Sequence, residues 1–240
     1  MVEASHNTSS EALADSIDAN LIEKSLSFAK FFGGKIYGPN PVWFVTGKAM
    51  PGNNGVVSAT FAEDDLDERI RAIVRPFKAR GRPLTWWVGP RTTPFDLGKY
   101  LQQHGFIHNR DMIGMAMALD KLHLPNPAPE LSLERVETVD MLQAWYAIIL
   151  DCFPSPYSQS YFDALAAISL RPDATWIHYV GQANGDIVSA SSLFLGGGVA
   201  GLYNLGTYPK VRNLGFGALT TIKTFLAARD IGYHLSLIHI

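Results

Sequence analysis

The stretch Arg212-Asn213-Leu214-Gly215-Phe216-Gly217-Ala218 constrains this chain more than any other. It lies between an apolar run at 199–205 and an amphipathic run at 219–228, an order that predicts strand, tight basic turn and helix. A helix N-terminus carries unpaired N–H groups and a partial positive charge, and together these hold an anion. Gly215 and Gly217 have no Cβ, so a phosphate can come close to the backbone. Arg212 adds a fixed positive charge with donors suited to phosphate. The pattern predicts a ligand phosphate held at the start of this helix. The plainer readings are a solvated surface arginine and glycines that serve a turn alone.

A chain of 240 residues makes one large domain or two of ordinary size. Its hydrophobic share of 47% and charged share of 18% are those of a globular chain. The net charge of −2 gives no general attraction to nucleic acid or to membrane phosphate, so neither is expected as a partner. The single cysteine, Cys152, cannot form an internal disulfide and sits in an apolar helical run, where a buried thiol is expected. That is consistent with a reducing compartment, and a cytoplasmic location is expected. Residues 1–11 are polar and lack the apolar region of a signal peptide, and the apolar run at 144–150 is too short to span a membrane. His104, His108, His123 and His178 share no metal-ligand spacing, so no metal is expected.

Residues 1–10 read as disordered, followed by a helix at 11–32 capped by Ser9 or Ser10 and ended by Gly33-Gly34. Strands are expected at 42–46, 56–61, 84–88 and 111–119, and helices at 65–79 and 94–104. The helix at 65–79 places Leu66, Ile70, Ile73, Val74 and Phe77 on one face, with Pro76 near its end. Three prolines at 125–129 mark a linker, taken as 123–130. After it come a strand at 131–136, a helix at 138–153, a turn at 155–160, a helix to about 170, strands at 175–180, 187–195 and 199–207, a helix at 219–229 and a strand from 233. Residues 11–122 and 131–240 thus read as two α/β (α+β) halves of similar layout.

The phosphate turn resembles the Q/R-x-x-G-x-G/A motif of the GCN5-related (GNAT) N-acetyltransferases, through Arg212, Gly215 and Gly217. Gly185-Asp186 resembles the hairpin between that family's second and third strands, and Tyr203-Asn204-Leu205-Gly206-Thr207-Tyr208-Pro209 resembles its fourth strand running into the turn. The resemblance covers about 130–234. Trp86-Trp87-Val88-Gly89-Pro90 and Tyr100 to Phe106 resemble the late part of such a unit, so residues 11–122 read as a degenerate GNAT-like half. Each half is then a mixed, mostly antiparallel sheet flanked by helices. In the first half the position matching the phosphate turn is Glu63-Asp64-Asp65, with no glycine; carboxylates there repel an anion.

The resemblance implies transfer of an acetyl group from acetyl-CoA to an amine, on a small molecule or a peptide. It implies that Leu205, Gly206 and Thr207 pair with the pantetheine, and that Arg212, Asn213, Leu214, Gly215, Phe216, Gly217 and Ala218 wrap the pyrophosphate. Asn204, or the N–H of Leu205, would polarise the thioester carbonyl. Many relatives carry a glutamate base on or near the fourth strand; here Tyr203 and Asn204 stand instead, and no carboxylate occurs between Ile187 and Asp230. Tyr157 and Tyr161 lie on the helix that borders the acceptor cleft in the family, with core packing as their alternative role. The alternative reading of the whole is a non-catalytic coenzyme A-binding module or an inactive fragment. The family's acid is a tyrosine beyond the fifth strand. Here Leu235-Ser236-Leu237-Ile238-His239-Ile240 departs from the family and resembles the translated read-through of a sequencing adapter. A C-terminally truncated second half is therefore expected.

Overall fold

The computed structural model of the chain describes residues 9–46, 52–125, 129–154 and 158–239. Of the expected disorder at 1–10, residues 1–8 lie outside the described residues, as do the centre of the expected linker at 126–128, residues 155–157 of the expected turn with Tyr157, and Ile240; Ser9 and Ser10 are instead the cap and first residue of a helix. Two compact units divide between Met112 and Ile113.

The first unit is a mixed four-stranded sheet in the order β1-β2-β3-β4, built from β1 (Lys35–Tyr37), β2 (Val42–Val45), β3 (Asn54–Ser58) and β4 (Thr85–Trp86). The first three strands are antiparallel and β4 runs parallel to β3. Helix α1 (Ser10–Phe31) starts where the Ser9 hydroxyl accepts the Ala12 N–H at 3.2 Å. Helix α2 (Leu66–Lys78) buries the five apolar residues expected from its period and continues past Pro76 to Lys78. Helix α3 (Leu97–Gln103) adds Leu97 and Leu101 to the same core. Strand β1 was not expected, because three residues show no period. Asn54 is fully buried; its side chain accepts the Thr46 N–H at 3.1 Å and donates to Pro83 O at 3.2 Å.

The second unit holds a six-stranded sheet in the order β5-β10-β9-β8-β7-β6. Its strands are β5 (Gly114–Ala118), β6 (Ser132–Arg135), β7 (Trp176–Ala183), β8 (Asp186–Gly196), β9 (Val199–Thr207) and β10 (Leu235–His239). All neighbours are antiparallel except β9 and β10. Where the sequence reading makes residues 111–119 the last strand of the first half, β5 instead pairs with β10 from Leu235↔Ala118 to His239↔Gly114. The segment that departs from the family, 235–239, is that strand β10, paired on both sides. Its Leu237 is buried, and the Ser236 hydroxyl donates to Ala200 O.

Helices α4 (Val139–Cys152) and α5 (Gln159–Ser169) pack Leu142, Trp145, Ile148, Phe162 and Leu165 against Val180 and Ala190 on one face of this sheet. Helix α6 (Phe216–Asp230) packs Phe225 and Ala228 against Ile177, Tyr179, Leu193 and Leu202 on the other. Covered on both faces, β7 and β8 read as nearly unbroken buried runs rather than alternating ones. Their small residues set how closely α6 approaches. Ser189 Oγ lies 2.6 Å from Thr220 Oγ1 and Ser191 Oγ 2.7 Å from Thr224 Oγ1, all four residues fully buried. Both threonines also donate to the carbonyl four residues back, at 2.8 and 2.7 Å. Shared hydroxyl bonds satisfy what would otherwise be costly buried groups. They fix the axis of α6, and so where its N-terminus points.

Candidate functional site

An open cleft of about 500 Å³ lies at the N-terminus of α6. Leu205, Gly206, Thr207, Arg212, Asn213, Gly215, Gly217 and Ala218 line it, together with Cys152, Phe153 and Val211. The first eight are residues the sequence pattern points to; the last three are not. Leu214 is exposed, and Phe216 packs with Leu131, Val188 and Leu219, so neither lines the cleft. Phe216 still serves the turn, because its half-buried ring packs on that cluster and anchors the first helical residue.

The turn is built by two left-handed residues, Asn213 at φ 64° and Gly215 at φ 84°. Gly215 is the N-cap, with no capping side chain. The first backbone bond back to it comes from the Leu219 N–H at 3.0 Å, so the N–H groups of Phe216, Gly217 and Ala218 precede the intrahelical ladder. The helix starts three residues before the expected Leu219, because Gly217 continues the helix where the sequence reading places a turn. No acidic residue occupies its first turn, whereas α2 of the first unit carries Asp67 and Glu68 there. The α6 terminus therefore keeps its positive potential.

Arg212 donates its Nε–H to Thr207 O at 3.0 Å, and its Nη2 lies 3.7 Å from Cys152 Sγ. The thiol is half-buried at the cleft wall, not sealed in the core as its apolar neighbourhood suggested, and it donates to Thr207 O at 3.4 Å. Signals for Cys152 and Phe153 were absent from the sequence, since both enter the cleft only because α4 ends beside β9.

Strand β9 is irregular where it meets the cleft. Its pairing with β10 covers Ala200, Gly201 and Leu202, and no strand pairs with 203–207 on that side among the described residues. On the other side, the register with β8 shifts between Ala190↔Gly206 and Ser192↔Tyr203. Ser191 there faces two residues of β9, Asn204 and Leu205, and Asn204 has φ 50°. This β-bulge resets the alternation. Tyr203 and Asn204 both turn to the α4 face, where Tyr203 lies 5.8 Å from Trp176 and Asn204 Nδ2 reaches Ser192 Oγ at 3.4 Å.

Burial pushes the Tyr203 hydroxyl well above its ordinary range, so it stays protonated and suits a donor, not a base. Tyr161 is pushed up to about 12 by burial and stacks on Tyr146 at 6.0 Å, the packing alternative for that residue. Among the described residues no three His, Cys, Asp or Glu side chains gather as a metal site, and no helix is long and apolar enough to cross a membrane.

No family model matches this sequence, and no curated protein matches it. Solved structures do resemble it. One is described as a "GCN5-related N-acetyltransferase from Kribbella flavida", with a TM-score of 0.68 at 16% identity, covering 91% of this chain and 85% of that one. Another is a functionally unknown conserved protein from Staphylococcus epidermidis, with a TM-score of 0.55 at 9% identity, covering 87% and 84%. The likeness shows that this chain has the fold of a GCN5-related N-acetyltransferase.

Proposed function

We propose that the chain binds acetyl-CoA in the cleft before α6 and transfers its acetyl group to an amine, on a small molecule or a peptide. One observation carries the reading. The open cleft is lined by the R-x-x-G-x-G turn, and it joins an uncapped helix N-terminus to the strand edge at 205–207, two residues beyond Tyr203 and Asn204 at the bulge. The pyrophosphate sits against the N–H groups at the start of α6, near the Arg212 guanidinium. The pantetheine amides pair with the edge of β9, as an added strand would. The thioester then reaches the bulge at Asn204, where Tyr203 is held as a protonated donor. Acetyl transfer requires loss of a proton from the amine, attack on the thioester carbon, and departure of the CoA thiol. No carboxylate lies on β8 after Asp186 or on β9, so the amine proton passes to water or to a base on another element.

The same lack of a carboxylate favours a second reading, a coenzyme A-binding module without turnover. One experiment separates the two. Coenzyme A at about a hundredfold over Kd raises stability by about 2.7 kcal/mol, or about 5–10 °C in Tm. Arg212→Glu places a carboxylate in the anion site and abolishes that shift; an unchanged shift refutes the phosphate assignment. Thiol release from acetyl-CoA with an amine panel then distinguishes transferase from binder.

A further inference from the structure

A buried polar string runs beneath the bulge. His178 on β7 is 1% exposed, and its Nδ1 lies 2.8 Å from Ser192 Oγ on β8. The two residues are direct cross-strand partners. Ser192 is fully buried and also receives Asn204 Nδ2 at 3.4 Å. The other ring nitrogen of His178, Nε2, is buried and has no hydrogen-bond partner. Trp145 lies over the imidazole at 4.1 Å and is itself anchored by its Nε1–H to Ser191 O at 2.9 Å. The core of an acyltransferase-like sheet needs no histidine here; an apolar residue would avoid the unsatisfied nitrogen, which costs stability.

We propose that His178 and Ser192 are positioning residues that set the polarity of the Asn204 carboxamide at the acyl site; this rests on the acetyl transfer reading above. The hydrogen-bond accounting gives the direction. A neutral imidazole has one donor and one acceptor nitrogen. Ser192 accepts from Asn204 Nδ2 and keeps one hydroxyl hydrogen. We assign that hydrogen to His178 Nδ1, which puts the ring proton on Nε2; the other arrangement, an Nδ1–H donating to the second lone pair of Ser192 Oγ, is the outcome the test below excludes. Asn204 then turns its NH2 arm inward and leaves Oδ1 as the arm facing away from Ser192. An oxygen there accepts the N–H of an incoming amine and aims the nitrogen lone pair at the thioester carbon. This replaces the donor role that the sequence resemblance gives Asn204, and leaves the N–H of Leu205 for the thioester carbonyl. The bulge is essential, because strict alternation would turn Asn204 to the α6 face. Burial holds the His178 ring neutral, with its pKa pushed down to about 3, as the accounting requires of either tautomer.

The test compares the full chain with Ser192→Ala, which breaks the string, and Ser192→Thr, which keeps the hydroxyl. Imidazole 15N shifts of His178 report its tautomer without any need for turnover. The wild type is expected to show the Nε2–H form alone, Ser192→Ala a mixture, and Ser192→Thr the wild-type pattern. An Nδ1–H ring in the wild type, or an unaltered ring in Ser192→Ala, overturns the inference. Turnover is read as thiol release from acetyl-CoA with hydroxylamine as the amine. Ser192→Ala is expected to lower kcat about five- to tenfold with KM for acetyl-CoA unchanged, and Ser192→Thr to restore it. A Ser192→Ala variant that turns over like the wild type overturns the positioning role alone. So does one that loses coenzyme A binding and folding together, which makes the serine merely structural. A wild type that does not bind coenzyme A overturns the proposed function, while the tautomer still decides whether the string exists.

Discussion

Replacing Gly206 with alanine probes the contact between β9 and α4 beneath the cleft. A Cβ placed there lies 3.0 Å from Cys152 Sγ, 3.3 Å from Cys152 Cβ and 3.4 Å from Ile148 Cγ2. The Cys152 Cβ is fixed to the end of a helix packed on the sheet, so relief requires α4 to shift as well as the thiol to turn. Overpacking of this kind costs about 1–3 kcal/mol. Against it stands the gain from replacing a strand glycine, about 0.5–1 kcal/mol, since residue 206 is not in the left-handed region. Gly206→Ala is therefore expected to lose about 1 kcal/mol, within a range of about 0–2.5. Cys152→Ala alone loses the sulfur contacts and its weak bond to Thr207 O, about 1 kcal/mol. In the double variant the new methyl occupies the space the sulfur leaves, and the contact at 3.0 Å is removed while those to the Cβ of residue 152 and to Ile148 Cγ2 remain. The two changes should couple favourably by about 1–2 kcal/mol. Urea unfolding of all four proteins, followed by fluorescence and circular dichroism, measures the cycle. Additivity within about 0.5 kcal/mol refutes the contact geometry. Because both residues line the cleft, a coenzyme A titration of the same proteins should show Gly206→Ala binding more weakly than Cys152→Ala.

Gly181→Ala places a methyl onto the Ser189 hydroxyl and 3.2 Å from Thr220 Oγ1; it should cost about 2–4 kcal/mol in urea unfolding, and a loss under about 0.5 would contradict the close approach of α6. His178 has a folded-state pKa of about 3 against an ordinary 6.5, so the unfolded chain binds a proton that the native chain does not. That stabilisation is complete above about pH 6.5 and falls as pH drops toward the folded value, by up to about 1.4 kcal/mol per pH unit. His178→Gln should flatten the pH dependence of unfolding free energy between about pH 6.5 and 5; an unchanged slope would contradict the burial of a neutral ring. In the first unit, Asn54→Ala removes the bonds to Thr46 N–H and Pro83 O and should cost about 2–3 kcal/mol, again by urea unfolding. A near-neutral effect would mean that water replaces both partners.

The turn at Arg212–Gly217 was legible in the sequence because its parts are local. Two glycines, an arginine and flanking apolar runs act within one turn, and the structure adds that Asn213 and Gly215 are left-handed and that α6 begins at Phe216. Most helices and strands were legible for the same reason, as α2 shows with its five buried residues at helical spacing. What the sequence did not hold is whatever depends on pairing between distant segments. The partner of β5 is β10, more than a hundred residues later, and nothing in the alternation of either strand names the other. Cys152 belongs to the cleft only because α4 ends against β9. Asn204 shares a face with Tyr203 only because a bulge breaks the period of two, a displacement visible in the register with β8 and not in residue identity. Hence the string from His178 through Ser192 to Asn204, whose members lie on three strands, exists only once the sheet is assembled. Local chemistry determined where an uncapped, glycine-rich helix start lies; long-range pairing decided which side chains stand beside it.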